Sequence, residues 1–115
     1  MDKFIIEGPT PLKGSIPISG SKNAALPLMA ASLLAESPST IQLVPRLKDI
    51  YTFNNVIRVT GTHVIFDEQE NKLFIDPKNL AHTEAPYDLV RKMRASFYML
   101  GALIGRAGEA RVSLP

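Results

Sequence analysis

Two hydrophobic periods lie side by side in the middle of this chain, and they restrict its fold more than any other feature. Leu47, Ile50, Phe53 and Ile57 recur at spacings of three and four. That period puts apolar side chains on one face of a helix, predicted over about 47–59. HVIFD and KLFID follow, two β-rich runs around the polar stretch EQEN, which predicts a hairpin over 63–76. Gly61, between helix and hairpin, stands where a helix C-terminus needs left-handed backbone. A one-faced helix feeding a hairpin buries its stripe against a sheet, so the expected class is mixed α/β.

The flanking segments extend the alternation. FIIE (4–7) and GSIPI (14–18) read as short strands separated by the turn cluster GPTP, with Pro17 pointing to an edge or a strand end. A first helix is expected from about 22 to 35, with Leu26, Met29 and Leu33 among alanines, and Pro38 stops it. Thr40 to Val44 is expected as a third strand, ended by Pro45. Residues 81–85 form a further brief strand. Asp88 is expected to cap a long third helix carrying Leu89, Met93, Phe97, Leu100 and Ile104 on one stripe. Gly105 and Gly108 are expected to end it, and 110–114 returns as a strand. The order β-α-β-α-β-β thus runs from Ser15 to Asp76, and β-α-β restarts at Ala81. The closing GEARVSLP reads as an arriving strand with nothing after it, the pattern of a piece of a longer fold.

Composition removes several function classes. The 115 residues suit one modest domain, with 45% hydrophobic and 21% charged residues. There is no cysteine, so disulfides, thiolate metal sites and cysteine catalysis by this chain are excluded. The most apolar run, FYMLGALIG from Phe97, is about half of the ~20 residues a bilayer span needs. The opening MDKFIIEGP lacks the apolar core of a secretory signal, so the expected location is cytoplasmic, with no membrane partner. A net charge of +2 without blocks of like charge does not call for nucleic acid.

The unusual chemistry begins at SGSKNAALP. Lys22 stands at the start of a helix, where unpaired N–H groups and the helix dipole already supply positive charge. A lysine there costs about 0.3–1 kcal/mol. Pro27 has no N–H for the carbonyl of Asn23, so the first turn is expected to loosen and the regular helix to begin near Asn23 or Ala24. Two positive features converging on one point suit an incoming anion, since phosphates and carboxylates bind at helix N-termini. Gly20 would let a backbone approach closely, Ser21 offers a hydroxyl, and Asn23 can donate or accept. A solvated lysine at a frayed helix end fits these residues equally well. A carboxylate held against the ammonium would remove the need for the anion.

A second basic cluster occupies YDLVRKMRAS. Arg91, Lys92 and Arg94 are expected in the first two turns of the third helix, with Arg91 and Arg94 as surface neighbours. The small Ala95 and Ser96 beside Arg94 would admit a ligand, and a guanidinium suits bidentate binding of phosphate. The commoner alternative is a solvated basic face. His63 and His82 are isolated, so no metal site is expected. Asp49 is placed in the first turn of the second helix rather than in a catalytic pair.

Taken together, SGSKNAALP, VPRLKDI, APYDLVRKMRASFYMLGALIGRAG and ARVSLP resemble the UDP-N-acetylglucosamine enolpyruvyl (1-carboxyvinyl) transferases, in the same order and at nearly the same spacing. The stretch from Tyr51 to Thr83 is the least diagnostic. The resemblance implies a two-lobed fold, an inside-out α/β barrel built from βαβαββ units. Residues 1–20 would be strands of the second lobe, and 21–115 the first part of the N-terminal lobe, with one unit and the start of another. It implies transfer of the enolpyruvyl group of phosphoenolpyruvate to the 3′-hydroxyl of UDP-N-acetylglucosamine, by addition then elimination, with release of phosphate and no metal or organic cofactor. This is the first committed step of peptidoglycan synthesis.

Carried over position by position, the resemblance makes Lys22 catalytic and assigns Lys22 and Asn23 to phosphoenolpyruvate. Arg94 and Asn23 fall to the UDP-sugar, and Arg91 is not the family's position. Past its VSLP the family continues with Gly-Gly-Cys, whose cysteine is the general acid and the target of fosfomycin. This chain stops at Pro115, so it is expected to be one wall of a site, inactive alone, with exposed apolar patches that invite self-association. Two alternatives stand beside it. One is a shikimate-phosphate enolpyruvyl transferase, for which a serine-rich run would be expected in place of SGSKNAAL. The other is a non-catalytic anion-binding module.

Overall fold

The computed structural model describes residues 1–85, 87–91 and 93–113, without the side chains of 87, 95 and 96. Helix α1 (Lys22–Ala31) tightens into a 3₁₀ turn at Ser32–Leu34 and leads to strand β1 (Ser39–Ile41). Helix α2 (Lys48–Val59) feeds the hairpin β2 (His63–Asp67) and β3 (Lys72–Asp76). After a 3₁₀ turn at Pro77–Asn79 come β4 (Glu84–Ala85), a single turn α3 (Tyr87–Val90), a 3₁₀ turn at Arg94–Phe97, α4 (Tyr98–Ala107) and β5 (Arg111–Val112). This is the expected mixed α/β class.

β3 is the middle strand of a three-stranded antiparallel sheet, ordered β1-β3-β2, with Thr40 and Ile65 both facing Phe74 in register. Inward-facing Val64, Leu73 and Ile75 are buried while Ile65 and Phe74 are exposed, the alternation of a sheet covered on one face. α2 presents Ile50, Phe53, Val56 and Ile57 to the core, all fully buried. At the hairpin turn Asp67 Oδ1 accepts from the N–H groups of Gln69 and Glu70 at 3.1 and 3.2 Å. Asn71 takes φ 53°, the left-handed residue that such loops use. Thr60 closes α2, and Gly61 follows at φ 95°, as the sequence predicts.

Four expectations need correction. Residues 4–7 and 14–18 form no strands. Residues 1–19 run as an exposed arm, with Phe4, Ile5, Ile6, Ile16 and Ile18 all at least 78% exposed. A strand is stabilised by the neighbour that takes its N–H and C=O groups and covers one of its faces, and this arm lies along no sheet edge of the fold. The arm also accounts for a radius of gyration of 17.3 Å, against about 13 Å for a compact chain of this length.

The second correction is to the long third helix, which is divided. α3 ends at Val90, Arg94–Phe97 is 3₁₀, and α4 buries Met99, Ala102 and Leu103 rather than Phe97 and Ile104. A change of helical pitch alters the rotation per residue, so one stripe cannot run through it. Asp88 accordingly lies inside the first turn of α3 rather than capping a long helix. Gly105 stays within α4; a Cβ there would come 2.7 Å from Leu34. Gly108, at φ 79°, ends the helix.

The third correction concerns strand ends. β1 is shorter than expected because Leu43 adopts φ 57°, a conformation that breaks extended backbone. β4 is confined to Glu84–Ala85. It pairs in parallel with β5, a second sheet that α4 packs beside. Leu114, expected at the end of the last strand, lies outside the described residues.

The fourth correction is at α1, which is regular from Lys22. Ser21 is its N-cap, in extended conformation, and the Ala25 N–H donates to the Ser21 carbonyl at 3.0 Å. Pro27 is accommodated inside the helix without loss of the first turn. At the other end of this layer Arg106 donates to the carbonyl oxygens of Ala35 at 2.7 Å and Pro77 at 3.3 Å. It ties α4 to the segments that follow α1 and β3.

Candidate active site wall

The serine hydroxyl expected at the helix start is engaged by the helix itself: Ser21 Oγ accepts from the Ala24 N–H at 3.3 Å. Gly20 is needed for packing rather than for a ligand. A Cβ there would fall 1.5 Å from the Leu43 carbonyl oxygen. The chain crosses itself at this point, and the crossing borders an open cavity of about 500 Å³ lined by 17–20, 43–47 and Asn71.

Lys22 already has a partner within the fold. Its Nζ donates to Asp49 Oδ2 at 2.8 Å, and both side chains are 38% exposed. Asp49 occupies the first turn of α2, where a carboxylate offsets the helix dipole. The placement of Asp49 agrees with the sequence; its pairing does not. An internal carboxylate already balances the ammonium, so the charge of Lys22 at the helix start does not by itself call for an anion. What remains is geometric. An ammonium has three N–H donors, the observed bond uses one, and the pair is open to solvent.

Asn23, next in the chain, points to a second open cavity of about 260 Å³ that it lines together with Leu26, Arg94 and Tyr98. Asn23 and Arg94 are 71 positions apart in sequence, and packing of α1 against α4 brings them to one concavity. Leu26 supplies a buried apolar floor and Tyr98 a half-exposed aromatic wall. From sequence Leu26 reads only as part of the apolar face of the first helix, and Tyr98 is not singled out. Tyr98 could have been, as an aromatic four residues after Arg94.

Arg91 is exposed just after α3 and does not line this cavity. It is not a surface neighbour of Arg94 on one helix, since the helix is interrupted between them. Lys92 lies outside the described residues. His63 and His82 are exposed, and no group of three or more His, Cys, Asp or Glu residues among the described residues is arranged to hold a metal ion. No helix among the described residues is long and apolar enough to cross a membrane.

Known proteins of the same shape and sequence narrow the chemistry. The sequence pattern of EPSP synthase (3-phosphoshikimate 1-carboxyvinyltransferase) matches residues 6–115. Over its full length the chain is 50% identical to the UDP-N-acetylglucosamine 1-carboxyvinyltransferase of Hydrogenovibrio crunogenus and 51% identical to that of Enterobacter cloacae subsp. cloacae. It spans 27% of the length of each. The crystal structure of the enolpyruvyl transferase NikO from Streptomyces tendae superposes with a TM-score of 0.77 at 29% identity, covering 86% of this chain and 23% of that one. The full-length relatives carry the UDP-N-acetylglucosamine name, which favours that branch over the shikimate alternative. By the match over 6–115 and the shared fold, this chain belongs to the EPSP synthase family of 1-carboxyvinyl (enolpyruvyl) transferases.

Proposed function

We propose that this chain is the N-terminal part of an enolpyruvyl transferase that joins phosphoenolpyruvate to the 3′-hydroxyl of UDP-N-acetylglucosamine and releases phosphate, in peptidoglycan synthesis. The observation that carries the reading is the meeting of Asn23 and Arg94 in one concavity, one residue along the chain from Lys22. Lys22 and Asn23 face phosphoenolpyruvate, and Arg94 with Asn23 faces the UDP-sugar. The sugar hydroxyl oxygen bonds to C2 of phosphoenolpyruvate and gives up its proton while C3 gains one, which makes a tetrahedral adduct that keeps both phosphate and carboxylate; loss of a C3 proton and of phosphate then restores the double bond. The two ammonium N–H groups not used by Asp49, and the Asn23 amide, stabilise those oxygens if they are aimed before the charge develops.

The chain carries no cysteine, and the family's general acid would come from sequence beyond Pro115. The 115 residues are thus a wall of the site, without turnover of their own. Residues 1–20 belong to the second lobe. The exposed apolar side chains of the arm support that reading, and they also make self-association of the isolated piece the expected behaviour. The location is cytoplasmic, and neither metal nor organic cofactor takes part.

The test joins this chain to the C-terminal three-quarters of the Enterobacter cloacae enzyme and follows phosphate release from phosphoenolpyruvate and UDP-N-acetylglucosamine. The joined protein is expected to turn over. Arg94→Ala should raise the KM for UDP-N-acetylglucosamine more than that for phosphoenolpyruvate, and Lys22→Ala should do the reverse. A folded, active chimera indifferent to both substitutions would refute the assignment.

A further inference from the structure

We infer that Asp49 is a positioning residue: from the first turn of α2 it holds the Lys22 ammonium in the orientation that receives an anion at the start of α1. The inference rests on the reading of Lys22 as the phosphoenolpyruvate contact.

Three observations carry it. Lys22 Nζ and Asp49 Oδ2 are 2.8 Å apart across 27 positions of sequence. Both side chains keep 38% of their surface in water, and an ion pair so exposed contributes little to folding. Stability therefore does not account for a lysine at a helix start that disfavours it. Finally, the two partners sit in the first turns of two different helices, α1 and α2, which pack against each other. Lysine is a flexible point charge with free rotation about four carbons. A bond to a group anchored on a second helix removes much of that freedom before the ligand arrives, which is how a fixed donor gains on a mobile one. One N–H is taken by Asp49, and the others stay exposed for oxygen ligands.

The sign of the effect separates this role from a bland one. A carboxylate near an anion site repels the anion, so by charge alone its removal would tighten binding. Positioning predicts the opposite. The experiment is a double-mutant cycle in the chimera of this chain with the C-terminal three-quarters of the Enterobacter cloacae enzyme, titrated with phosphoenolpyruvate to millimolar concentrations and followed by isothermal calorimetry. Asp49→Ala is expected to weaken binding about 5–10-fold in the chain that retains Lys22 and to have no effect when Lys22→Ala is present. Asp49→Asn, which keeps an acceptor oxygen, should stay within about threefold of the parent. Thermal melts of each variant check that it is folded, and the near-identical shape of the two side chains makes Asp49→Asn a safe second variant.

Binding that is unchanged or tighter in Asp49→Ala, or equally weakened in both backgrounds, overturns the inference and leaves the Lys22 reading intact. Parent binding that is absent, or indifferent to Lys22→Ala, overturns the Lys22 reading itself and the inference with it.

Discussion

The arm of residues 1–19 and the layer from α1 to β3 have similar local appeal and opposite fates. FIIE is as rich in β-favouring residues as STI, yet Ser39–Ile41 forms a strand and the arm does not. The difference is the neighbour. β1 lies beside Leu73, Phe74 and Ile75 of β3, which pair with its backbone, and Ile41 packs against the core. The arm has Phe4 at 97% and Ile6 at 89% exposure, with no ladder to join. Strand propensity describes a fit to a pleated, half-buried surface, and it is realised only where that surface exists.

The sharpest way to break this comparison is to truncate one large side chain on each side. Phe53→Ala, at a fully buried position on α2, should cost about 3–5 kcal/mol in urea unfolding. Ile6→Ala on the arm should stay within about 0.5 kcal/mol. An arm substitution that destabilised the chain as much as Phe53→Ala would mean that the arm is packed in solution.

A middle-sized effect is expected at the joint between the two regions. Gly20→Ala puts a methyl on the Leu43 carbonyl and should lower stability by about 1–3 kcal/mol, since backbone must move to relieve it. Gly14→Ala on the arm meets nothing within 4 Å but sits at φ 155°, so Gly8→Ala is the cleaner control for open space and should be nearly silent in the same melts.

The smallest effect is at the outer face of the ordered layer. Tyr51 donates its hydroxyl to Glu68 and stacks at 5.6 Å on Phe66. The bond to the Glu68 carboxylate, helped by desolvation, raises the Tyr51 pKa above the ordinary 10.0. A raised folded value means that the stabilisation is fully present below the unfolded value and disappears as pH rises through the folded one. Ultraviolet titration of tyrosinate, taken as the difference from Tyr51→Phe, should therefore show a midpoint above the ordinary one. Glu68→Gln should bring it back. No shift between the two would leave the hairpin tip as independent of α2 as the arm is of the core.

Much of the fold was legible because its signals are local. The spacing of Ile50, Phe53 and Ile57 fixes one buried helix face whatever lies opposite, and polar EQEN between two β-rich runs leaves few options besides a hairpin. The third helix misled for the opposite reason. Leu89, Met93, Phe97, Leu100 and Ile104 keep a helical spacing, but the backbone changes pitch at Arg94–Phe97, and a hydrophobic pattern carries no mark of such a break. At the site, the oddity of Lys22 was visible and its partner was not. Asp49 looked like ordinary helix-start chemistry because nothing in a string of letters says which other helix start it faces.

The sequence alone determined the mixed α/β class, the helix at α2, the hairpin and the family to which the chain belongs, because periodicity, turn chemistry and motif order all act over a few residues at a time. The tertiary structure decided that the N-terminal segments stay unpaired, that Arg94 meets Asn23 rather than Arg91, and that Asp49 holds Lys22. Those outcomes depend on which surfaces come within a few ångströms of each other, and hydrogen bonds and ion pairs act only at that range.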